Sequence, residues 1–460
     1  MEQWPKLGRY TSKKPSHQQR PKWQTIKPLT HCQILAKFHD RKNSLGPPMS
    51  QKIIIVGAGL IGTSTALRLA QKGKKVVLID KDFDGKPTSG NNAGIIAYCD
   101  VFPMLSAKSL LKIPFWLADP KAMIALRPSY AFKMLPWFYQ LVKSTLPHNQ
   151  KGVIEARLSL METALSDHYD QIDKADRNTF IADTGTYYLY QKESSFNGDA
   201  HIRDLKQSYG YEPEIVSASD AYKRVEGLEQ GVYKAVFEKD SAVLKSPSGL
   251  LKYLRDKAKA LGVEFLQGEV KDIRRDAEYI HIDLASGDHL MASDIVIAAG
   301  AYSRKMVKDL GYNVPLDTER GYNVTIDNPP FKFDCAVIAK DAQIAISSLT
   351  DGLRVGGGVE FAGIDAAPDY GRIDKMISLA QDLFPSIPND RGTRWMGCRP
   401  SMADDMPVIG RHPRDRRVNF AFGHGHLGMT MAAVTAKHIC NLITDDKTNV
   451  DLTAFRVDRF

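Results

Sequence analysis

Three glycines and one acid carry the first chemical signal in this chain. Gly57, Gly59 and Gly62 stand as G-x-G-x-x-G directly after the apolar run at 53–56. Between a strand and a helix each glycine has a mechanical use. The first allows a tight turn, the second lets backbone approach a pyrophosphate, and the third lets helix pack closely on strand. The helix that follows turns its first N–H groups toward that diphosphate. Asp80 ends a second apolar run, 18 residues past Gly62, where a ribose-binding carboxylate is expected. Such an acid suits a ribose with an unmodified 2′-hydroxyl, so the pattern points to FAD or NAD rather than NADP.

Two further glycine-rich stretches accompany it. Residues 87–96 read PTSGNNAGII, either an ordinary loop or one whose N–H groups face a flavin. Residues 423–430 read GHGHLGMT, after a strand at 418–422 and before a helix reaching about 443. A second helix N-terminus would then point at the same ligand. His424 and His426 stand in this turn. They could relay a proton or tune a ring, or simply cap and pack.

The elements that must hold these residues follow from periodicity. The run at 53–56 reads as a buried parallel strand, and residues 61–70 as a helix with Gly73 near its end. A helix over 246–261, a strand at 263–266, a small meander over 269–291 and a buried strand over 294–299 resume the parallel sheet. The segment between Asp80 and that return therefore reads largely as an insertion, with a strand at 184–190 that puts Tyr188 and Tyr190 on one face. Further strands are expected at 320–326, 342–346, 353–359 and 406–410, the last preceded by the stretch 395–400. The fold class is α/β: a Rossmann-type nucleotide domain with an inserted α+β domain built on a mixed sheet. The expected parts are 49–101, 242–312 and 396–446 for the first domain, 102–241 and 313–395 for the second, and 447–460 as a C-terminal tail. Residues 102–145 are apolar, aromatic and basic, and read as core or lid helices or as a membrane-facing patch.

Charge and cysteine usage narrow the function classes. The chain has 460 residues and a net charge of +9, from 62 basic and 53 acidic residues. Ten of the basic and two of the acidic residues fall in 1–50, so the rest is within one charge of neutral. Nothing invites nucleic acid. Residues 1–48 hold six prolines and no sustained period, and are expected to be a disordered basic tail, or an over-called start ahead of Met49. No apolar run is long enough to span a membrane. Cys32, Cys99, Cys335, Cys398 and Cys440 form no C-x-x-C pair, which suggests a reducing compartment, no disulfide framework and no metal site.

Taken in order, these stretches resemble the D-amino-acid oxidase-like family of FAD-dependent oxidoreductases, and within it the bacterial D-amino-acid dehydrogenases. The carriers are GAGLIGTSTALRLAQKGKKVVLID, TSGNNAGII, DIVIAAGAYS, LRVGGGVEFAG, CRPSMADDMPVIGR and FGHGHLGMTMAA. The resemblance implies FAD. Gly57, Gly59, Gly62 and Asp80, with Leu60, Ile61 and Lys81 alongside, would hold its ADP half. Val270 would lie by the adenine through its backbone, and Gly300 near the diphosphate. Ser89, Asn92, Ala93 and Gly94 would approach the isoalloxazine, with Gly425, Leu427, Gly428 and Thr430 at its pyrimidine edge.

Arg399 matches the arginine that grips the substrate carboxylate in amine-oxidising relatives, a role suited to a planar guanidinium. Glycine oxidase relatives add a tyrosine in the strand near Ile344. Here that strand reads QIAI, so Tyr322 is the expected second contact. No covalent flavin cysteine is identifiable, and FAD is expected to be non-covalent. The implied reaction is oxidative deamination of an amino acid, of D configuration, by hydride transfer to the flavin, with Arg399, Tyr322 and His426 as catalytic candidates. One alternative is oxidation of a secondary amine such as D-proline, hydroxyproline, glycine or sarcosine. Another, of a different class, is a non-catalytic electron-transfer subunit. The electron acceptor is open between oxygen and a quinone chain. The expected location is the cytoplasm, with peripheral contact to the inner face of its membrane.

Overall fold

The computed structural model describes residues 52–102, 123–389 and 392–460. The expectation for residues 1–48 lies outside them, as does much of the apolar stretch after residue 102.

One six-stranded sheet is built around the first strand. Its order is Glu264–Gln267, Lys75–Asp80, Lys52–Val56, Asp294–Ile297, Asp415–Phe422 and Val408–His412. The first five run parallel, and the last is antiparallel. Ile53, Ile54, Ile55 and Val56 are all buried, because helices cover one face and the meander of Val270–Arg275, Ile280–Leu284 and His289–Ala292 the other. Helix Leu60–Gln71 packs between helices Pro247–Ala260 and Ala432–Thr444. Helix Pro247–Ala260 starts on a proline, and its Ser246 cap accepts from the Gly249 N–H at 3.1 Å.

A larger mixed sheet holds nine strands. Thr393–Met402, Leu316–Ile326, Gly352–Phe361, Ile344–Leu349, Ala336–Ala339, Thr186–Tyr190, Lys234–Glu238 and Glu214–Ser217 follow one another, and Ile124–Leu126 adds to Gly352–Phe361. Helix Gly371–Gln381 covers one face with Ile373, Met376 and Ile377. The boundary expected at residue 396 cuts through strand Thr393–Met402. That strand pairs with Leu316–Ile326 over its whole length, so residues 396–402 go with the larger sheet. Residues 447–460 are a docked end rather than a loose tail: Phe455 and Val457 are buried, and Arg459 pairs with Asp404 at 2.7 Å.

Candidate functional site

Backbone crowds the first and third glycines of the turn, and a side chain the second. Gly57 has φ of +106°, and a Cβ there would meet Ala298 O at 2.3 Å. A Cβ on Gly62 would come within 1.8 Å of Gly57 O, and one on Gly59 within 2.8 Å of Ser89 Oγ. Helix Leu60–Gln71 has no capping side chain and no acid in its first turn. Its N-terminal partial charge is therefore not neutralised from within the helix. Asp80 Oδ2 accepts from the Ala58 N–H at 2.6 Å, and Ser89 Oγ from the Leu60 N–H at 3.1 Å. Both residues line the cavity that opens here.

That cavity measures about 1500 Å³ and runs from the glycine turn to the larger sheet. Gly57, Gly59, Ile61, Asp80, Lys81, Ser89, Asn92, Ala93, Val270 and Gly300 line it, as do Gly425, Leu427, Gly428, Arg399 and His426. Leu60, Gly62, Gly94 and Thr430 do not. Leu60 is buried and offers only its N–H, to Ser89; Gly62 packs under Gly57. Gly94, at φ of +71°, lies against Leu244 O, and Thr430 Oγ1 accepts from the Ala97 N–H at 3.1 Å. These four shape the wall from behind. Lys81 reaches over the Tyr302 ring, 3.7 Å from its centroid. The helix expected soon after GHGHLGMT begins only at Ala432, after a 3-10 turn at Gly425–Leu427. A helix start without an acid in its first turn, Gly57 and Gly62 pressed against backbone and a cavity of this volume fit a dinucleotide such as FAD.

At the sheet end of the cavity, strand alternation sets the chemistry. Glu319 lies directly opposite Arg399 in the antiparallel register. Glu319, Gly321, Asn323 and Arg399 share one face. Gly321 leaves room for the guanidinium, since a Cβ there would come within 2.3 Å of Arg399 Cζ. Asn323 Nδ2 ties this face to the glycine–asparagine loop, donating to Asn91 O at 2.7 Å. Strand Gly352–Phe361 carries a β-bulge opposite residues 320–322, and Gly358 within it has φ of +69°. The bulge turns the Gly358 carbonyl toward Arg399 Nη1, which donates to it at 2.9 Å. Among the described residues no carboxylate forms an ion pair with Arg399.

Glu319 instead bonds His426: Nε2 and Oε2 are 2.6 Å apart, with the side chains 31% and 15% exposed. Burial alone would raise the Glu319 carboxyl, but the charges of His426 and Arg399 outweigh it and hold the group below its usual range. Burial lowers Arg399 and Glu319 opposes that; an arginine stays a cation throughout. Glu319, Gly321 and Gly358 were not among the residues expected from the sequence. The period of two along 319–323 is the signal that could have found the first pair.

Tyr322 is not a second contact beside Arg399. It is one residue out of phase with Gly321, so its ring enters the core under helix Gly371–Gln381. Its hydroxyl donates to Glu360 Oε2 at 2.5 Å and accepts from the Asp369 N–H at 3.0 Å. Burial first, then Glu360, pushes the phenol up to about 12. His424 differs from His426 in the same way. It is buried, bonds Thr435 Oγ1 at 3.0 Å, and burial pushes it down to about 3. It packs rather than relays.

A parallel nucleotide sheet, a cavity fit for a dinucleotide and a cationic sheet face across it define a flavoprotein oxidoreductase. Residues 52–442 match the family described as FAD dependent oxidoreductase, and the chain belongs to that family. It is 28% identical to the D-amino-acid oxidase of Bradyrhizobium diazoefficiens over 427 residues, 90% of this chain and all of that protein. It is 29% identical to the D-amino acid dehydrogenase of Rhizobium rhizogenes, over 89% of this chain and all of that one. Among solved structures it resembles glycine oxidase from Geobacillus kaustophilus, with a TM-score of 0.68 and 19% identity over 89% of this chain and 99% of that one. L-proline dehydrogenase from P. horikoshii gives 0.66 and 17%, over 89% and 98%. These two likenesses speak for the fold. The protein is an FAD-dependent enzyme that oxidises an amino acid or amine.

Proposed function

We propose that the enzyme oxidises a D-amino acid to the 2-oxo acid and ammonia, with FAD held non-covalently. The observation that carries this reading is Arg399, a guanidinium lining the cavity with no acid in an ion pair to it among the described residues. The names of the two relatives of nearly full coverage support the D configuration. Gly57, Gly59 and Asp80 would hold the ADP half of FAD, and the 89–93 loop and Gly425–Leu427 its ring. FAD supplies the two-electron acceptor.

The chain's own residues do the rest. Arg399 binds the substrate carboxylate by two parallel charge-assisted bonds and fixes Cα in place. The ammonium must lose a proton before its lone pair can form the C=N bond as hydride leaves Cα. His426 is the exposed acceptor for that proton, and Glu319 orients its ring and balances its charge. Water then hydrolyses the released imine. The electron acceptor is oxygen or a quinone. Among the described residues no helix is long and apolar enough to cross a membrane.

Anaerobic flavin bleaching with D- and L-amino acids, hydroxyprolines, glycine and sarcosine tests the substrate class. D-amino acids should bleach fastest; bleaching by L-amino acids or sarcosine alone would overturn the assignment. A D-amino acid amide, lacking the carboxylate, should be a poor substrate for wild type and be little affected by Arg399→Ala. Equal losses on acid and amide would remove Arg399 from the carboxylate site.

A further inference from the structure

Helix Pro128–Ser144 is apolar on two opposite faces. Met134, Trp137 and Leu141 are buried against Phe361 and Ala403, and Trp137 Nε1 donates to Ser401 O at 3.2 Å. On the other side Phe132 is 84% exposed, Leu135 59%, Tyr139 69% and Val142 52%, with Leu146 just beyond at 41%. At about 100° per residue the four within the helix fall in an arc of roughly 80°. The other large apolar side chains exposed among the described residues are Ile215, Leu261, Tyr302, Tyr370 and Phe460, each on a separate element. Scattered exposure of that kind is ordinary, whereas a continuous stripe marks a covered surface. A helix apolar all round is normally enclosed on every side.

The charge around the stripe selects what covers it. Residues 120–154 contain no Asp or Glu. Lys133 and Lys143 are exposed toward its two ends. We infer that this helix lies on an anionic phospholipid surface, with Phe132, Leu135, Tyr139 and Val142 at the headgroup–acyl boundary and the two lysines among the phosphates. Aromatic and aliphatic side chains beside lysines are the composition of an interfacial helix. A second copy fits less well. A two-fold contact through the stripe would bring the same acid-free, lysine-bearing surface against itself. The docked helix is tied to the cavity: strand Ile124–Leu126 precedes it by Arg127 alone, and Ile124 and Val359 both line the cavity wall.

The test is co-sedimentation of the full-length FAD-loaded protein with vesicles. Wild type should sediment with phosphatidylglycerol–phosphatidylcholine vesicles and not with phosphatidylcholine alone, and added salt should weaken it. The F132S/L135S/Y139S variant and the K133E/K143E variant should each bind at least tenfold more weakly, with flavin content and amino-acid bleaching unchanged. No binding by wild type, equal binding by either variant, or equal binding to both vesicle types would overturn the proposal. So would a wild-type dimer in sedimentation velocity that F132S/L135S/Y139S dissociates, which would assign the stripe to a second copy. The vesicle result does not depend on which amino acid the enzyme oxidises.

Discussion

The two faces of strand Leu316–Ile326 carry two charge networks, back to back, and they are built in opposite ways. On the inner face Glu360 takes Tyr322 Oη at 2.5 Å, Arg127 Nε at 2.7 Å and Arg320 Nη1 at 3.4 Å. Arg320 is fully buried; among the described residues Glu360 is its one ion-pair partner, and none of its guanidinium nitrogens is hydrogen-bonded. On the cavity face Glu319 bonds His426, and among the described residues Arg399 has one hydrogen-bond partner, the Gly358 carbonyl. The inner network is buried in the core and the outer one faces the cavity. A buried cluster of paired charges holds a fold together, because removing a member strands the rest. One that faces a cavity can take a ligand. Residues differing by one position in the same strand therefore belong to different functions.

This contrast can be broken at several places. Glu360→Ala should have the largest effect, destabilising the protein by about 3–5 kcal/mol as it strands Arg320. Urea unfolding measures it; a loss within error would mean that Glu360 does not hold the inner face together. Arg399→Ala should reverse the pattern. It should cost roughly 2–5 kcal/mol in kcat/KM, about 30- to several-thousand-fold, with Tm and flavin content nearly unchanged. Arg399→Lys should fall between, since a point charge recovers part of a bidentate contact. Tyr322→Phe should lower stability by about 1.5–3 kcal/mol and leave kcat/KM within a factor of about two. A large kinetic defect would return Tyr322 to the substrate site.

The smallest effect concerns His424 and sharpens the comparison with His426. Its folded pKa, about 3, lies below the unfolded value near 6.5. Between these the unfolded chain binds a proton that the folded chain does not. Stability is therefore complete above about pH 6.5 and falls on acidification, by up to about 1.4 kcal/mol per pH unit from this residue. His424→Gln should flatten that slope in unfolding curves taken from pH 7 to 5. An unchanged slope would show that His424 is not the group responsible.

The nucleotide end was legible in advance because its information is local. Strand, glycine turn, helix and Asp80 are contiguous, and each glycine answers to a neighbour's backbone, so spacing alone points to the ligand. The meander was legible for the same reason. The larger sheet's edge was not: residues 393–402 look like the lead-in to Val408–His412, yet pair with a strand far back in the chain. Tyr322 was misplaced by its face, which a strand's period of two leaves undecided until register is known.

The sequence by itself determined that a dinucleotide site exists and where its glycines stand. Short-range sterics and the strand and helix periods suffice for that, whereas Arg399 was a candidate through the resemblance of CRPSMADDMPVIGR to relatives. Only the tertiary structure decided that Glu319 faces Arg399 while Arg320 and Tyr322 face away, that the bulge at Gly358 presents a carbonyl instead of an acid, and that His426 is exposed where His424 is buried. Those outcomes depend on register between strands distant in the chain. A shift of one residue in that register would exchange the cavity face for the buried one.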